Sequence, residues 1–284
     1  MSRLADLQGR IASMGELLNI MSAMRSLAGM RVQEVQRALP GIRRYAQSMK
    51  AGIAGALMLM EGQVARPQAQ AGPRALILCT AEHGFVAGFN ERLAEAAEAE
   101  LKRGDLLFVV GSRGASLLFE KGRQAAWTAP MATRLPAAPG VADRLAAELY
   151  GRIARGEVER VEVMFSPYRQ GAQPAIERRL LLPLDVPSFA KRGSRQAPLH
   201  DIEPGALFEK LAAEYVFALL TEAVAESIAG ENAARFAAMQ AACDNVSKKL
   251  EQLQSQARQA RQEEITTELL DLITGAMGLA GQKA

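Results

Sequence analysis

The sequence predicts a protein of the α+β or α/β class. The two ends of the chain form a long antiparallel two-helix coiled coil, and a small α/β domain is inserted between them. At both ends, apolar residues recur at alternating steps of three and four, and no proline follows Pro204. In the middle, short apolar runs alternate with amphipathic segments, as expected of strands and helices. Because the inserted domain returns the chain to the same end, the two helices should run antiparallel.

The first 60 residues are predicted to form the N-terminal helix of the coiled coil. Its seam keeps one phase throughout, and Arg25 is its only polar member. Pro40 and Gly41 should bend this helix without ending a domain, because the seam continues past them. The seam positions are Leu4, Leu7, Ile11, Met14, Leu18, Met21, Arg25, Ala28, Val32, Val35, Leu39, Ile42, Ala46, Met49, Ile53, Ala56 and Met60.

Residues 75–185 are predicted to form the α/β domain, between linkers at 61–74 and 183–204 that are rich in proline, glycine or glutamine. Asn90 is expected to cap the first helix of the domain, and Gly104 and Asp105 to end it. The order of elements implies right-handed crossovers and a partly parallel sheet, with the last two strands joined as a hairpin. The predicted strands are 75–79, 106–110, 125–127, 161–165 and 176–182, and the predicted helices are 90–103, 114–121 and 141–155.

Residues 205–284 are predicted to form the C-terminal segment of the coiled coil. Its helix, from about Phe208 to Leu279, would have about 70 residues and be roughly 105 Å long at about 1.5 Å per residue. The polar residues 261–264 interrupt its seam, which resumes one residue out of phase at Ile265, Leu269, Leu272, Ala276 and Leu279. This break is either a solvated irregularity or the point at which the helix leaves its partner. The segment after the break is apolar on more than one face, so we expect other chains to sheathe it. The seam before the break comprises Phe236, Met239, Cys243, Val246, Leu250, Leu253, Ala257 and Ala260.

Composition excludes several classes of function. The net charge is +3 and aromatic residues make up 5%, which does not favour nucleic-acid binding. Cys79 and Cys243 lie in apolar patterns and are expected to be buried, reduced thiols of a cytosolic protein. The first residues do not resemble a signal peptide, and the most apolar run, Ala51 to Met60, is too short to span a bilayer.

The α/β domain is Rossmann-like, but its sequence predicts no catalytic, cofactor or metal site. The loop after its first strand has only Gly84 and Gly88, without the G-x-G-x-x-G spacing that cradles phosphates. His83 and His200 are the only histidines and lack partners at metal-ligand spacing. Two alternatives stay open on the residues alone: an enzyme built on the α/β domain, and a coiled-coil scaffold or adaptor.

Several segments resemble the gamma subunit of F-type ATP synthases, over essentially the whole chain. The match is most specific at ENAARFAAM (231–239), Asp244-Asn245, ARQ (260–262) and ITTEL (265–269). Weaker matches are the first helix, the loop 82–90 and residues 181–184. The sequence departs from the family at Ala87, where glycine is usual, at Glu82-His83, where Asp-Arg is usual, and in having fewer basic residues in 21–31.

The resemblance implies a central rotor stalk that couples ion translocation to ATP synthesis or hydrolysis, while the chemistry belongs to other subunits. The implied partners are the alpha and beta subunits of the catalytic hexamer, the epsilon subunit and the membrane c-ring. Neither nucleic acid nor a small-molecule substrate is implied. The implied location is peripheral, on the cytoplasmic face of the bacterial inner membrane. The residues that the resemblance assigns to coupling contacts with partners are Arg25, Arg31, Arg261, Gln262, Thr266 and Glu268.

Overall fold

The computed structural model describes residues 3–60, 72–171, 174–185, 189 and 199–281, without the side chains of residue 271 and residues 274–281. The chain forms two compact units. The smaller unit contains residues 1–27 and 236–284, and the larger unit contains residues 28–235. The division therefore falls within both long helices. The predicted division of the chain into three domains, 1–60, 75–185 and 205–284, stays a prediction.

The two long helices are α1, Arg3–Leu59, and α5, Pro204–Gly281. Helix α1 continues through Pro40, as predicted; Pro40 is exposed, on the side where water can satisfy the carbonyl group that loses its amide donor. Every predicted seam position of α1 is buried or half-buried. The heptad pattern therefore identified the face of α1 that packs.

The two helices run antiparallel in both units. In the smaller unit, Arg3 forms an ion pair with Glu263, and Ser22 lies 3.7 Å from the Cys243 thiol. In the larger unit, Arg43 pairs with the buried carboxylates of Glu222 and Glu226. Early residues of α1 thus meet late residues of α5, and later residues of α1 meet earlier ones, which confirms the predicted antiparallel pairing.

The larger unit contains a five-stranded sheet in the order β3-β2-β1-β4-β5. The first four strands in this order pair in parallel, and β5 is antiparallel to β4, so the sheet is partly parallel as predicted. The strands are β1 Arg74–Cys79, β2 Leu106–Val110, β3 Trp127–Ala129, β4 Arg160–Phe165 and β5 Glu177–Leu182, and the shorter helices are α2 Phe89–Glu100, α3 Ser112–Glu120 and α4 Ala138–Ala154.

Both faces of this sheet are covered, which explains why β1 is apolar without alternation. Ala75, Ile77 and Cys79 face a core that includes α4 and parts of α1 and α5. Leu76 and Leu78 face a second core that includes α2 and α3. All six residues of β1 are buried, as expected of a central strand in a parallel sheet.

The predicted boundaries of α2 were wrong at both ends. Gly88, at φ 71°, is the N-cap, and Asn90 does not cap the helix; its side-chain oxygen accepts a hydrogen bond from the Ala81 N–H at 2.9 Å. The helix ends at Glu100 because Arg74 Nη2 donates to the Glu100 carbonyl at 2.5 Å, while the Asp105 carboxylate accepts the Lys102 N–H. Contacts from a distant strand therefore override the local signals.

The other predicted strands and helices in the middle of the chain are present, but some bounds were wrong: β3 is Trp127–Ala129 and not 125–127, α3 begins at Ser112 and not at 114, and α4 begins at Ala138 and not at 141. Strands β4 and β5 are antiparallel neighbours, as the hairpin prediction required, although residues 172 and 173 of their connection are not described. Most of the two predicted linkers, 61–71 and 186–198 apart from residue 189, is also outside the described residues. Cys79 and Cys243 are buried free thiols, as predicted. Within the described ranges, no helix has the length and apolar character needed to cross a membrane.

Candidate functional site on the two long helices

The smaller unit is held together by a narrow apolar seam. Leu7 from α1 and Leu253 and Ala260 from α5 are buried, and three further residues of this unit pack against them. A seam with alanine at several positions buries little apolar area. It therefore stabilises the unit only weakly, because the gain is about 25 cal/mol per Å² of apolar surface removed from water. Phe236, predicted as a seam residue, is 42% exposed, so the prediction was wrong there.

Arg25, the polar seam position of α1, contacts the facing helix within the chain. Its Nη1 donates to Gln240 Oε1 at 2.9 Å, and Gln240 Nε2 in turn donates to Asp244 Oδ1 at 2.9 Å. Its side chain is half-buried. A guanidinium has five N–H donors, so this bond leaves Arg25 able to contact a partner subunit as well.

The four predicted coupling residues of α5 follow the last buried seam residue, Ala260. The residues Arg261, Gln262, Thr266 and Glu268 are all exposed. Thr266 Oγ1 donates to the main-chain carbonyl of Gln262 at 2.8 Å, a bond within the helix. The structure thus brings these side chains together on a short exposed stretch of α5.

The apolar residues beyond this polar patch are exposed. Ile265 is 50% exposed, Leu269 54% and Leu272 71%, whereas Leu253 is only 1% exposed. Just before these residues, Glu263 of α5 still forms an ion pair with Arg3 of α1. The exposure of the apolar side chains after the break indicates that α5 leaves its partner helix there, which is the second reading of the phase change.

Arg31, the remaining predicted coupling residue, lies in the larger unit. It is half-buried on α1, adjacent to the buried Val32. The predicted residues are divided between the two units: Arg25 and the four residues of α5 belong to the smaller unit, and Arg31 belongs to the larger one.

In the larger unit, α5 covers the carboxyl edge of the sheet, where doubly wound folds bind ligands. Ser227 Oγ donates to the Cys79 carbonyl at 3.2 Å. A Cβ atom at Gly230 would lie 1.9 Å from the Ser166 carbonyl oxygen, so only glycine allows the helix to approach this closely. The chain's own helix occupies the place where a nucleotide would bind in a related fold.

The loop between β1 and α2 is fixed by several hydrogen bonds to Glu82. Its carboxylate accepts the Ser112 N–H at 3.1 Å, the Ser112 hydroxyl at 2.6 Å and the Met131 N–H at 2.8 Å. Burial raises the pKa of Glu82, but these hydrogen bonds outweigh it and hold the pKa below its ordinary value. Glu82 thus links the loop to the residues around Ser112 and Met131.

A buried ion pair on α5 contacts the same loop. Glu231 and Arg235 are 4% and 6% exposed, and Arg235 Nη2 donates to Glu231 Oε1 at 2.6 Å. The same guanidinium donates to the carbonyl oxygens of His83 and Gly84, each at 3.3 Å. Burial raises the pKa of Glu231 above its ordinary value, although Arg235 opposes this effect.

This pair is not among the residues predicted to make contacts, although it lies within the ENAARFAAM segment. The signal that could have identified it is a glutamate and an arginine four residues apart in an otherwise apolar part of a helix, because buried charges must be paired.

Burial raises the pKa of the Cys79 thiol to about 12, which makes it inert near neutral pH. Among the side chains that the structure describes, no three His, Cys, Asp or Glu residues are placed to hold a metal ion.

Comparison with known proteins assigns the chain to a family. A family described as ATP synthase has a model that matches residues 3–279. The ATP synthase gamma chain of Chelativorans sp. (strain BNC1) is 26% identical over 292 residues, covering 98% of this chain and 100% of that protein. The chain belongs to the ATP synthase gamma-chain family.

A second gamma chain is similar in sequence, and a solved structure is similar in fold. The ATP synthase gamma chain of Allorhizobium ampelinum is 27% identical over 293 residues, covering 98% of this chain and 100% of that gamma chain. A chain from the Euglena gracilis mitochondrial ATP synthase, in a structure titled OSCP/F1/c-ring in rotational state 3, superposes with a TM-score of 0.68. Their identity is 14%, and the match covers 99% of this chain and 96% of that chain. At this identity, the structural likeness shows only that the two chains share a fold.

Proposed function

We propose that the chain is the central rotor stalk of an F-type ATP synthase and couples ion translocation to ATP synthesis or hydrolysis by rotating. The observation that carries the proposal is the exposed end of α5 after Ala260. There, apolar side chains follow a polar patch without a covering helix in the described chain. An exposed apolar segment of this kind is typical of a surface that contacts other proteins.

The partners of this stalk are the alpha and beta subunits of the catalytic hexamer, the epsilon subunit and the c-ring. The end of α5 lies inside the hexamer, where an apolar surface can turn because it makes few bonds that fix one angle. Six residues supply polar contacts that form at some angles and break at others: Arg25, Arg31, Arg261, Gln262, Thr266 and Glu268.

Phosphoryl chemistry takes place on the alpha and beta subunits, and this chain takes no part in it. The complex lies on the cytoplasmic face of the bacterial inner membrane, to which this chain is bound peripherally.

Purification of the tagged full-length chain from native membranes tests this function. We expect the alpha, beta, epsilon and c subunits to accompany it, and membrane vesicles carrying the complex to pump ions when ATP is added. Vesicles with the same complex assembled without this chain provide the control. A stable homo-oligomer that carries none of these subunits would instead support the adaptor alternative. Saturable ATP binding by the full chain alone would support the enzyme alternative.

A further inference from the structure

One face of α5 is attached to the carboxyl edge of the sheet by polar contacts. Ser227, Gly230, Glu231 and Arg235 lie within about 140° of one another around the helix, at about 100° per residue. Ser227 bonds to the end of β1, Gly230 lies against Ser166 at the end of β4, and Arg235 bonds to the loop that follows β1. The attachment therefore includes two neighbouring strands and a loop.

Arg235 is the centre of this attachment because every nitrogen of its guanidinium group has an acceptor. Nη2 donates to Glu231 Oε1 and to the carbonyls of His83 and Gly84. Nε donates to the Gly84 carbonyl at 3.3 Å, and Nη1 donates to Asn232 Oδ1 at 3.2 Å. Helix and loop thus share one buried cation, whose charge Glu231 neutralises from the helix side.

The loop needs such an attachment, because its backbone conformation is unfavourable. Phe85 and Ala87 have φ angles of 62° and 35°, which residues with a Cβ atom rarely adopt. Conformations of this kind persist only where the surroundings hold them. Phe85 is also 68% exposed, so its own side chain contributes little packing that would hold the loop.

We propose that Glu231 and Arg235 form a rotational latch that fixes the loop 83–87 to α5, so that the helix and the carboxyl edge of the sheet turn together. The inference rests on the proposed rotor function. Apolar side chains alone allow one surface to slide over another at small cost, whereas directional charge-assisted hydrogen bonds resist rotation about the helix axis. Both residues are positioning residues, because they act through the loop and touch no nucleotide.

Two variants and one control separate the latch from general stability. Arg235→Lys keeps the buried positive charge but replaces three donor nitrogens with one, so it cannot hold the two loop carbonyls and Asn232 as the guanidinium does. Glu231→Gln keeps the shape of the side chain and removes the carboxylate that orients Arg235. Lys210→Met removes an exposed charge from the same helix, away from these contacts, and serves as the matched control.

The first measurement is hydrogen exchange of the amides of residues 83–89 in the full-length chain. We expect exchange to become faster by about tenfold or more in Arg235→Lys and in Glu231→Gln, and to stay unchanged in Lys210→Met. The second is the number of ions pumped per ATP by the assembled complex. We expect this ratio to fall about twofold or more in both latch variants at equal amounts of assembled complex.

The outcomes are distinct. Unchanged exchange in the loop would overturn the latch, and so would faster exchange with an unchanged pumping ratio, since the pair would then serve stability only. A wild-type complex that hydrolyses ATP without pumping would contradict the proposed rotor function. In that case the loop exchange, measured on the chain alone, still decides whether Glu231 and Arg235 hold the loop.

Discussion

At the scale of single residues, the β1–α2 loop combines an unfavourable backbone with hydrogen bonds from distant segments of the chain. Ala87 has a φ of 35°, which residues with a Cβ atom rarely adopt. Glu82 reaches three donors on two other segments, Ser112 and Met131. The loop is therefore held by long-range hydrogen bonds in spite of its unfavourable backbone, and two predictions follow from this balance.

Ala87→Gly should stabilise the larger unit by about 0.5–1 kcal/mol, because glycine adopts positive φ without the steric cost of a Cβ atom. The free energy of unfolding in urea measures this change. Ala51→Gly is the matched control: Ala51 is exposed within α1, where glycine should destabilise by about 1 kcal/mol. Destabilisation of similar size at both positions would contradict the strain that we infer at Ala87.

Glu82 should make stability depend on acid pH. Because its pKa is lower in the folded state than in the unfolded chain, its contribution is present above the ordinary pKa of 4.5 and is lost as the pH falls through the folded pKa. Glu82→Gln should therefore cost stability at pH 7 and cost less at pH 3. Unfolding free energies of both proteins at the two pH values check this, and an equal difference at both would show that the carboxylate is not involved.

At the scale of elements, α5 has three different surroundings along one continuous helix. Around residues 218–235 it is buried between the sheet and α1, and around Leu253 it contributes to a narrow seam. After Ala260 it is exposed. Sequence periodicity describes only the seam, because a heptad pattern requires one facing helix.

The division between seam and coupling residues predicts opposite effects of substitution along α5. Arg261→Ala combined with Gln262→Ala should leave folding and assembly nearly intact, because both side chains are exposed, but should lower the number of ions pumped per ATP. Leu253→Ala removes a side chain that is 1% exposed and should cost about 2–5 kcal/mol of stability. Leu250 is also on the predicted seam but is only half-buried, so Leu250→Ala should cost less stability than Leu253→Ala.

Thermal unfolding and ATP-driven ion pumping of the assembled complex distinguish these effects. If the double substitution released the chain from the complex while Leu253→Ala changed only turnover, the roles of the two sets would be reversed. The double substitution is informative because Arg261 can form charge-assisted hydrogen bonds, each of which contributes about 1.5–3 kcal/mol. In a rotating complex, such bonds must break during each turn.

At the scale of the whole molecule, the described part of α5 after Ala260 exposes a run of large apolar side chains. Leu269, Leu270, Leu272 and Ile273 are each more than half exposed in the chain alone. Residues with long apolar side chains are normally removed from water, and the gain is about 1.5–3 kcal/mol for a fully buried Leu or Ile. A stalk obtains this burial from the subunits that surround it.

Hydrogen exchange should therefore differ between the free chain and the assembled ATP synthase. In the free chain, the amides of residues 265–273 should exchange with little protection, because a single helix in water frays. In the complex, the same amides should be strongly protected. The amides of β1 provide an internal reference, because that strand is buried in the chain by itself. Equal protection of 265–273 in both states would contradict a covering of partner subunits.

The sequence by itself determined the elements that depend on local order along the chain. The seam of α1, the apolar strands β1 and β2 and the family were predictable from short stretches of sequence, and the antiparallel pairing followed from the order of the segments along the chain. The phase change after Ala260 was also visible. Its meaning was not, because it depends on how far α5 packs against α1, whose Arg3 lies beside Glu263 and is more than 250 residues away in sequence.

Tertiary structure decided the polar contacts. Asn90 looked like a helix cap because its type is common there, yet its side chain bonds to Ala81 instead. Glu231 and Arg235 are four residues apart on a helix, but only the loop folded over them makes them a buried attachment. Hydrogen bonds are directional and short, so a shift of a few ångströms changes every partner, whereas apolar burial depends only on which face of a helix or strand is turned inward. For this reason the sequence determined the packed faces of this protein, and only the fold determined the contacts of its charges.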